Sequence, residues 1–302
     1  MREKPLRTLR EKKLKQILIG IIFALLWASA SVATKFGIRS VDPLILANVR
    51  FFVAGPLLLA LSFIFQRQKP RWPTRQEWPQ LLLFALLNTT IYLGAFVISM
   101  TEVSAGIGSL STATGPLFVI VISGVWLGRK LKTDEILGVA LGLSGAALAT
   151  FPLLQNSFAT LRGLLILMAG IVSVSVASVY YARVQWQLSN LAFNGWQVLI
   201  GGFLLLPFTL FFADFQRTKY DVNFWLSVGW LVVPVSAVGL QLWFYLLKQD
   251  AVKASLWLFL CPIFGFTYAS ILLQEPLSWH TFAGTLLVIA GLYVAQREKF
   301  RK

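Results

Sequence analysis

Apolar residues come in long unbroken runs, and polar residues gather in short stretches between them. Ten such runs can be marked: Ile17–Ile38, Pro43–Phe65, Trp78–Ser99, Ser104–Leu127, Thr133–Phe151, Leu161–Ala182, Leu191–Phe212, Phe224–Leu247, Val252–Leu273 and Ser278–Gln296. About 20 apolar residues in a helix cross some 30 Å of hydrocarbon, so nearly every run is long enough to span a bilayer. None alternates polar and apolar residues as a membrane β-strand does. Lipid offers the backbone no hydrogen-bond partners, so the runs must be helices. The pattern predicts an all-α polytopic membrane protein with ten transmembrane helices. Asp42 before Pro43 and the string Thr133-Asp134-Glu135 read as helix starts.

Composition agrees. Of 302 residues, 57% are hydrophobic and 13% charged, against about 25% charged in soluble domains. Little chain is left for a soluble domain. A single cysteine, Cys261, excludes an intrachain disulfide, and a single histidine, His280, excludes a multi-histidine metal site. No metal and no cofactor is expected.

The formal net charge of +15 orients the chain rather than pointing to nucleic acid. With the N-terminus in the cytoplasm, 21 of the 27 Lys and Arg residues fall on the inner side. They sit in a basic tail (1–16), in every second loop and in a basic C-tail (297–302). The other six are Lys35, Arg39, Arg50, Arg162, Arg217 and Lys219. This asymmetry is the positive-inside signal, and it puts both termini in the cytoplasm, which requires an even number of spans.

The two halves, 17–151 and 161–296, resemble each other at an offset of 146. Pro116 meets Pro262, Gly138 meets Gly284, Gly145 meets Gly291, and Leu127 and Leu131 meet Leu273 and Leu277. Ala54-Gly55 meets Gly201-Gly202 at 147. Five spans per half make the second copy enter the membrane upside down. Two inverted five-helix repeats around a midplane site are the architecture of alternating-access transporters.

The residues Leu26-Trp27-Ala28-Ser29, Ser104 through Pro116 to Leu131, and Ala254 through Pro262 to Leu277 carry a further likeness. On them the chain resembles the EamA-type branch of the drug/metabolite transporter superfamily, over nearly its whole length. That family ends its fourth and ninth spans with a Leu-Gly-Glu-x-Leu-like string. The second copy keeps Glu275 but has Gln274 for glycine, and the first keeps Gly128 but has Arg129 for glutamate. The resemblance implies a bacterial inner-membrane secondary transporter that exports or exchanges small organic metabolites such as amino acids. Its partners would be that solute and membrane lipid, with no nucleic acid. Oligomeric state stays open, a monomer included.

Polar groups inside spans are costly and mark candidate function. The set near mid-membrane is Ser29, Ser31, Asn88, Thr89, Tyr92, Ser111, Thr112, Thr114, Ser175, Ser178, Gln197, Ser236 and Gln241. No carboxylate sits at a span centre, which weighs against a buried carboxylate proton relay. Lys35 and Arg50 lie toward the outer side. Together they suggest a positive vestibule for a carboxylate, and the protein acids open to Arg50 as alternative partners are Glu102 and Glu275. Inward-facing Trp and Tyr rings can clamp an apolar or zwitterionic solute. The candidate solute contacts are Trp27, Ser31, Lys35, Arg50, Asn88, Tyr92, Thr112, Ser178, Tyr181, Gln241 and Trp257. Pro116 and Pro262 are candidate gating hinges in spans four and nine. The small residues Gly138, Gly142, Gly145, Gly284 and Gly291 suit close helix crossing, within the chain or between copies.

A lipid-handling protein or flippase is the alternative reading. A membrane-embedded enzyme is disfavoured, because the one histidine at a span end cannot serve a midplane serine. No Gly-x-x-x-x-Gly-Lys loop is present to bind a nucleotide for a primary pump.

Overall fold

The computed structural model describes residues 3–65, 72–126, 128, 130–155, 158–249 and 257–300. The basic positions Arg2, Arg67, Lys69, Arg71, Arg129, Lys253, Arg301 and Lys302, and the start of the ninth run at Val252, lie outside the described residues.

The described chain is helical. We number the elements α1 (Glu3–Gly37), α2 (Pro43–Phe65), α3 (Glu77–Ser99), α4 (Ala105–Trp126), α5 (Thr133–Gln155), α6 (Leu161–Arg183) and α7 (Asn190–Phe212). Then come α8 (Val222–Trp230, continuing through Leu231–Gly239 into Leu240–Gln249), α9 (Leu260–Leu273, after a 3-10 turn at Trp257–Phe259) and α10 (Trp279–Phe300). The first eight are long and apolar enough to cross a membrane. Leu260–Leu273 and Trp279–Ala295 are shorter apolar helices. The basic N-tail does not form a separate coil, since helical structure continues from α1 back to Glu3.

The starts follow local chemistry. Leu44 N–H donates to Asp42 Oδ1 at 2.9 Å, and the hydroxyls of Thr160 and Ser189 accept from Gly163 and Ala192 N–H. Asp221 caps α8 by accepting from Phe224 N–H, and Ser40 also donates to it. Those bonds hold the Asp221 carboxyl below the usual carboxylate range. Lys132 N–H donates to Glu135, the reach-back of a capping box.

The repeat is visible in three dimensions. Helices α2, α4 and α5 each pack on their counterparts α7, α9 and α10. The α1–α8 contact is answered by α3–α6, and α1–α9 by α4–α6. Such reciprocity is the contact pattern of two units related by a two-fold operation. Two backbone irregularities recur at the same offset. In α3 the helix widens to π geometry over Leu86–Leu93, and in α8 it does so over Leu231–Gly239. Among the described residues the left-handed positions are Gly128 (φ 62°) and Gln274 (φ 55°), 146 positions apart.

Glycine takes a left-handed turn freely, whereas a side chain there costs about 1–2 kcal/mol. Gln274→Gly is therefore expected to stabilise the folded protein by roughly 1 kcal/mol. A thermal melt of the purified protein in detergent checks it, and an unchanged or lower midpoint would contradict the strain argument.

The loop after α1, the loop after α3, the start of α6, the α7–α8 loop and the turn after α9 meet at one end of the bundle. Lys219 N–H donates to Ser40 O, Asp214 N–H to Asp42, Thr160 N–H to Glu102 O, and Ala105 N–H to Glu275. Helices α5 and α10 cross so closely that their backbones touch. A methyl on Gly138 would strike Gly291 O, and one on Gly284 would strike Gly145 O. The small-residue stripe thus serves a crossing within one chain.

Candidate functional site

Arg50 is two turns into α2 and only 4% exposed. Its Nη2 and Nε donate to Ser236 Oγ at 3.1 and 3.4 Å. It interacts electrostatically with Tyr92, which is also buried, and its guanidinium lies 5.9 Å from the Phe51 ring centroid. Among the described residues Arg50 makes no ion pair. Neither acid offered by the sequence reaches it. Glu102 pairs with Arg162 at 3.4 Å and accepts from Thr160, while Glu275 caps α4.

Both π segments supply this centre, Tyr92 from the first and Ser236 from the second. A π turn shifts the register of the side chains it carries, and such turns occur often at functional sites. Ser236 joins a second layer of polar groups, because Asn194 Nδ2 donates to Ser236 O at 3.3 Å. Gln197 Nε2 donates to Asn194 Oδ1, and Gln197 Oε1 accepts from Asn88 at 3.2 Å and from Thr89. On the other side Tyr92 lies within electrostatic range of Cys261, which is hydrogen-bonded with the Thr112 side chain. The centre therefore draws on α2, α3, α4, α7, α8 and α9.

Toward the end where those loops meet, the packing is tight. Ser31 and Ser109 hydroxyls share a bond of 2.9 Å, and Ser109 also donates to Ala28 O. Gly265 lies against Ser109 and Gly106 against the Phe266 ring, with no room for a methyl at either. Above this seal lies a cavity of about 550 Å³ whose polar lining includes Lys35, Arg39, Glu102, Ser104, Thr160 and Glu275. Lys35 is attracted by Glu275 and repelled by Arg39. Lys35 and Arg50 thus do not form one vestibule. Lys35 faces this mixed-charge cavity, and Arg50 is not among its lining residues. They leave from different helices, and the α1–α4–α9 contact seals the end of the bundle where Lys35 sits.

Trp27 and Trp257 join Phe23 and Trp243 in an aromatic cluster, with Phe23 and Trp243 stacked 5.0 Å apart. Tyr181 stacks on Trp186 at 5.7 Å and packs on Phe84 and Phe193. Among the described residues, Gln241 Nε2 is a buried donor without a partner. Ser178 is exposed, and its hydroxyl returns to Val174 O on its own helix. Pro116 is buried mid-helix in α4, where it withholds an N–H from the ladder. Pro262 stands third in the regular part of α9, where a missing N–H leaves no bond unmade.

Sequence reasoning passed over Asn194, four residues into α7, and Asn48, whose side chain donates to Thr209 while its Oδ1 lacks a partner among the described residues. An amide inside an apolar run was the available signal for both.

Comparison with known proteins gives the family. The EamA-like transporter family matches residues 14–151 and again 161–296. A protein of Archaeoglobus fulgidus named an uncharacterized transporter is 23% identical over 95% of this chain and all of its own. The Bacillus subtilis uncharacterized transporter YvbV is 26% identical over 93% of this chain and 91% of its own. The Escherichia coli uncharacterized inner membrane transporter YedA is 28% identical over 77% of this chain and 74% of its own. One solved crystal structure shares the fold, with a TM-score of 0.68 at 20% identity over 95% of this chain and 98% of that one. With two family matches that together take in most of its length, this chain belongs to the EamA-like transporter family.

Proposed function

We propose that the chain is a secondary transporter that exports or exchanges small carboxylate-bearing metabolites, amino acids among them, by alternating access. The observation that carries this reading is Arg50, a buried guanidinium whose hydrogen bonds go to one serine hydroxyl, with no carboxylate at hand. An arginine at the centre of a span costs about 2.5–3.5 kcal/mol on insertion scales. A guanidinium holds a carboxylate through two parallel bonds, so a solute carboxylate is the partner that offsets this cost. Aromatic side chains at Trp27, Tyr181 and Trp257 then receive the rest of the solute.

The chain crosses the membrane ten times as two inverted five-helix repeats. Helix α1 ends at the face where the loops meet, and its counterpart α6 begins there. The basic residues concentrate at the other face, which is therefore cytoplasmic and holds both termini. A bacterial inner membrane is the location that the name of the relative YedA gives, and the same location suits this chain.

The test is counterflow. Proteoliposomes loaded with one unlabelled amino acid at a time should take up the labelled form faster than protein-free liposomes, for at least one carboxylate-bearing solute. The same panel run with a pH gradient reports coupling. Absence of counterflow for every solute, together with lipid scrambling in the same vesicles, would favour a flippase and overturn the reading.

A further inference from the structure

We propose that the cavity above the seal is a second anion site, separate from the Arg50 centre, in which Lys35 and Arg39 hold the carboxylate of a small soluble organic acid with an apolar body. The inference takes only the assignment of the outer face from the transporter reading, and nothing in it depends on Arg50.

Both cations come from the end of α1, and both line the cavity. Lys35 is half-buried and Arg39 is exposed. They stand close enough to repel each other, and Glu275 attracts Lys35. Yet among the described residues neither cation makes an ion pair or a side-chain hydrogen bond. The Arg39 guanidinium lies 4.8 Å from the centroid of the Phe36 ring. A ring has no lone pair to accept from it, so the guanidinium keeps its fork of donors for the two oxygens of a carboxylate. The Lys35 ammonium supplies a second charge and up to three more donors.

Two acids share the cavity, and both are engaged elsewhere. Glu102 pairs with Arg162 at 3.4 Å and accepts from the Thr160 hydroxyl. Glu275 accepts from Ala105 and Gly106 N–H through its two oxygens. Arg162 balances the first charge, and the partial positive charge of a helix start offsets part of the second. The cavity is left with an excess of positive charge on Lys35 and Arg39, which one carboxylate answers. The rest of the lining says what kind of acid. Ile38, Met100, Phe158 and Leu273 complete the wall with apolar side chains. The volume of about 550 Å³ is that of a pocket for a small organic ligand. An inorganic anion would leave the apolar wall in contact with water, whereas an acid with a hydrocarbon or aromatic body covers it. On the orientation proposed above, the cavity meets acids of the external medium while the seal beneath it is shut.

Benzoate is the probe, and benzamide is its neutral control. The full-length protein, in an uncharged detergent, carries Thr101→Cys in a Cys261→Ser background. Thr101 lines the cavity, is exposed, and returns its hydroxyl to Ile98 O on its own helix, so a thiol there reports on what fills the cavity. Benzoate should slow maleimide labelling of this cysteine, and benzamide at the same concentration should not. Lys35→Gln and Arg39→Gln should each raise the benzoate concentration for half protection about tenfold, the worth of a hydrogen bond to a charged group. Arg39 is exposed, so Arg39→Gln carries the test even where Lys35→Gln folds poorly. Arg50→Gln should leave the protection as it is. Equal protection by benzoate and benzamide, or protection that survives both cation variants, would disprove the anion site. Protection lost in Arg50→Gln but kept in Lys35→Gln and Arg39→Gln would assign the carboxylate to the centre instead. The last arm adds phosphatidylglycerol to the micelles. Protection by that lipid and none by benzoate would make the occupant a headgroup phosphate and overturn the soluble acid. Labelling needs no transport, so a failure of counterflow would leave this result standing.

Discussion

Arg50→Gln should fold as well as the wild type and lose transport of carboxylate-bearing solutes, with the apparent affinity falling about 30-fold or more. The expectation follows from what surrounds Arg50. Removing one member of a buried ion pair strands the other, which costs about 3–5 kcal/mol and usually the fold with it. Here no acid would be stranded, since Glu102 and Glu275 are engaged elsewhere and the guanidinium bonds only to Ser236. A glutamine amide can still donate to that hydroxyl, and insertion becomes easier once the charge is gone. The solute carboxylate, in contrast, loses a charged bidentate partner, and truncating such a buried partner costs about 2–5 kcal/mol. Amidated or decarboxylated analogues should retain transport by the variant. Arg50→Lys should restore charge without the fork geometry and fall between the two. Counterflow of paired acid and amide solutes, alongside size-exclusion profiles, makes the measurement. Wild-type transport of an amino acid by Arg50→Gln would remove this residue from the site.

Part of this centre could be read from the chain and part could not. The long apolar runs mark most of the helices within a few residues, because hydrocarbon thickness fixes their length and their caps fix their starts; the exceptions are α1, which continues back through the basic tail to Glu3, and α9, whose run begins outside the described residues. Arg50 and Tyr92 stood out as polar groups in apolar surroundings. The partner of Arg50 did not, because Ser236 is 186 residues away and a hydroxyl is a weaker signal than an acid. Local spacing says nothing about which of several distant polar groups a fold brings near. The π segments were hidden too, since Leu86–Leu93 and Leu231–Gly239 have the composition of ordinary apolar helix. Their effect is to turn Tyr92 and Ser236 out of the register that a period of 3.6 would assign. Lys35 and Arg50 were grouped by their distance from the outer ends of their helices, and depth alone did not reveal the α1–α4–α9 seal. The offset of 146, carried by prolines, glycines and leucines, returned in the structure as paired turns and paired π segments. The role of Glu275 was not legible either, since its partners are the first amides of α4, 170 and 169 residues away.

Gly284→Ala should sharply reduce the yield of folded, monodisperse protein, while the same change at Gly115 should be tolerated. Both residues are helical glycines, and replacing glycine by alanine in a helix ordinarily stabilises by roughly 0.5–1 kcal/mol. The surroundings set the sign. At Gly115 the new methyl meets nothing within 4 Å, so only the backbone gain remains. At Gly284 it meets Gly145 O, Ala149 N at 2.5 Å and the Ala149 side chain at 2.7 Å. Two of those three neighbours are backbone atoms of α5 and cannot rotate away as the end of a long side chain would. The helices must separate, and the rest of the stripe separates with them, because Gly138 and Gly291 make the same kind of contact further along the crossing. Overpacking a close-packed site costs about 1–3 kcal/mol. A TM helix pair has no hydrophobic drive to offset that loss, since lipid is as apolar as the partner helix and only close packing favours the pair. Leu286, half exposed two residues on, is a control, and Leu286→Val should leave yield unchanged. Helices α5 and α10 pack chiefly on each other and on α4, so the Gly284→Ala protein that does fold should keep the wild-type apparent affinity. Equal yields of Gly284→Ala and wild type on size exclusion would show that the α5–α10 crossing has slack for a methyl.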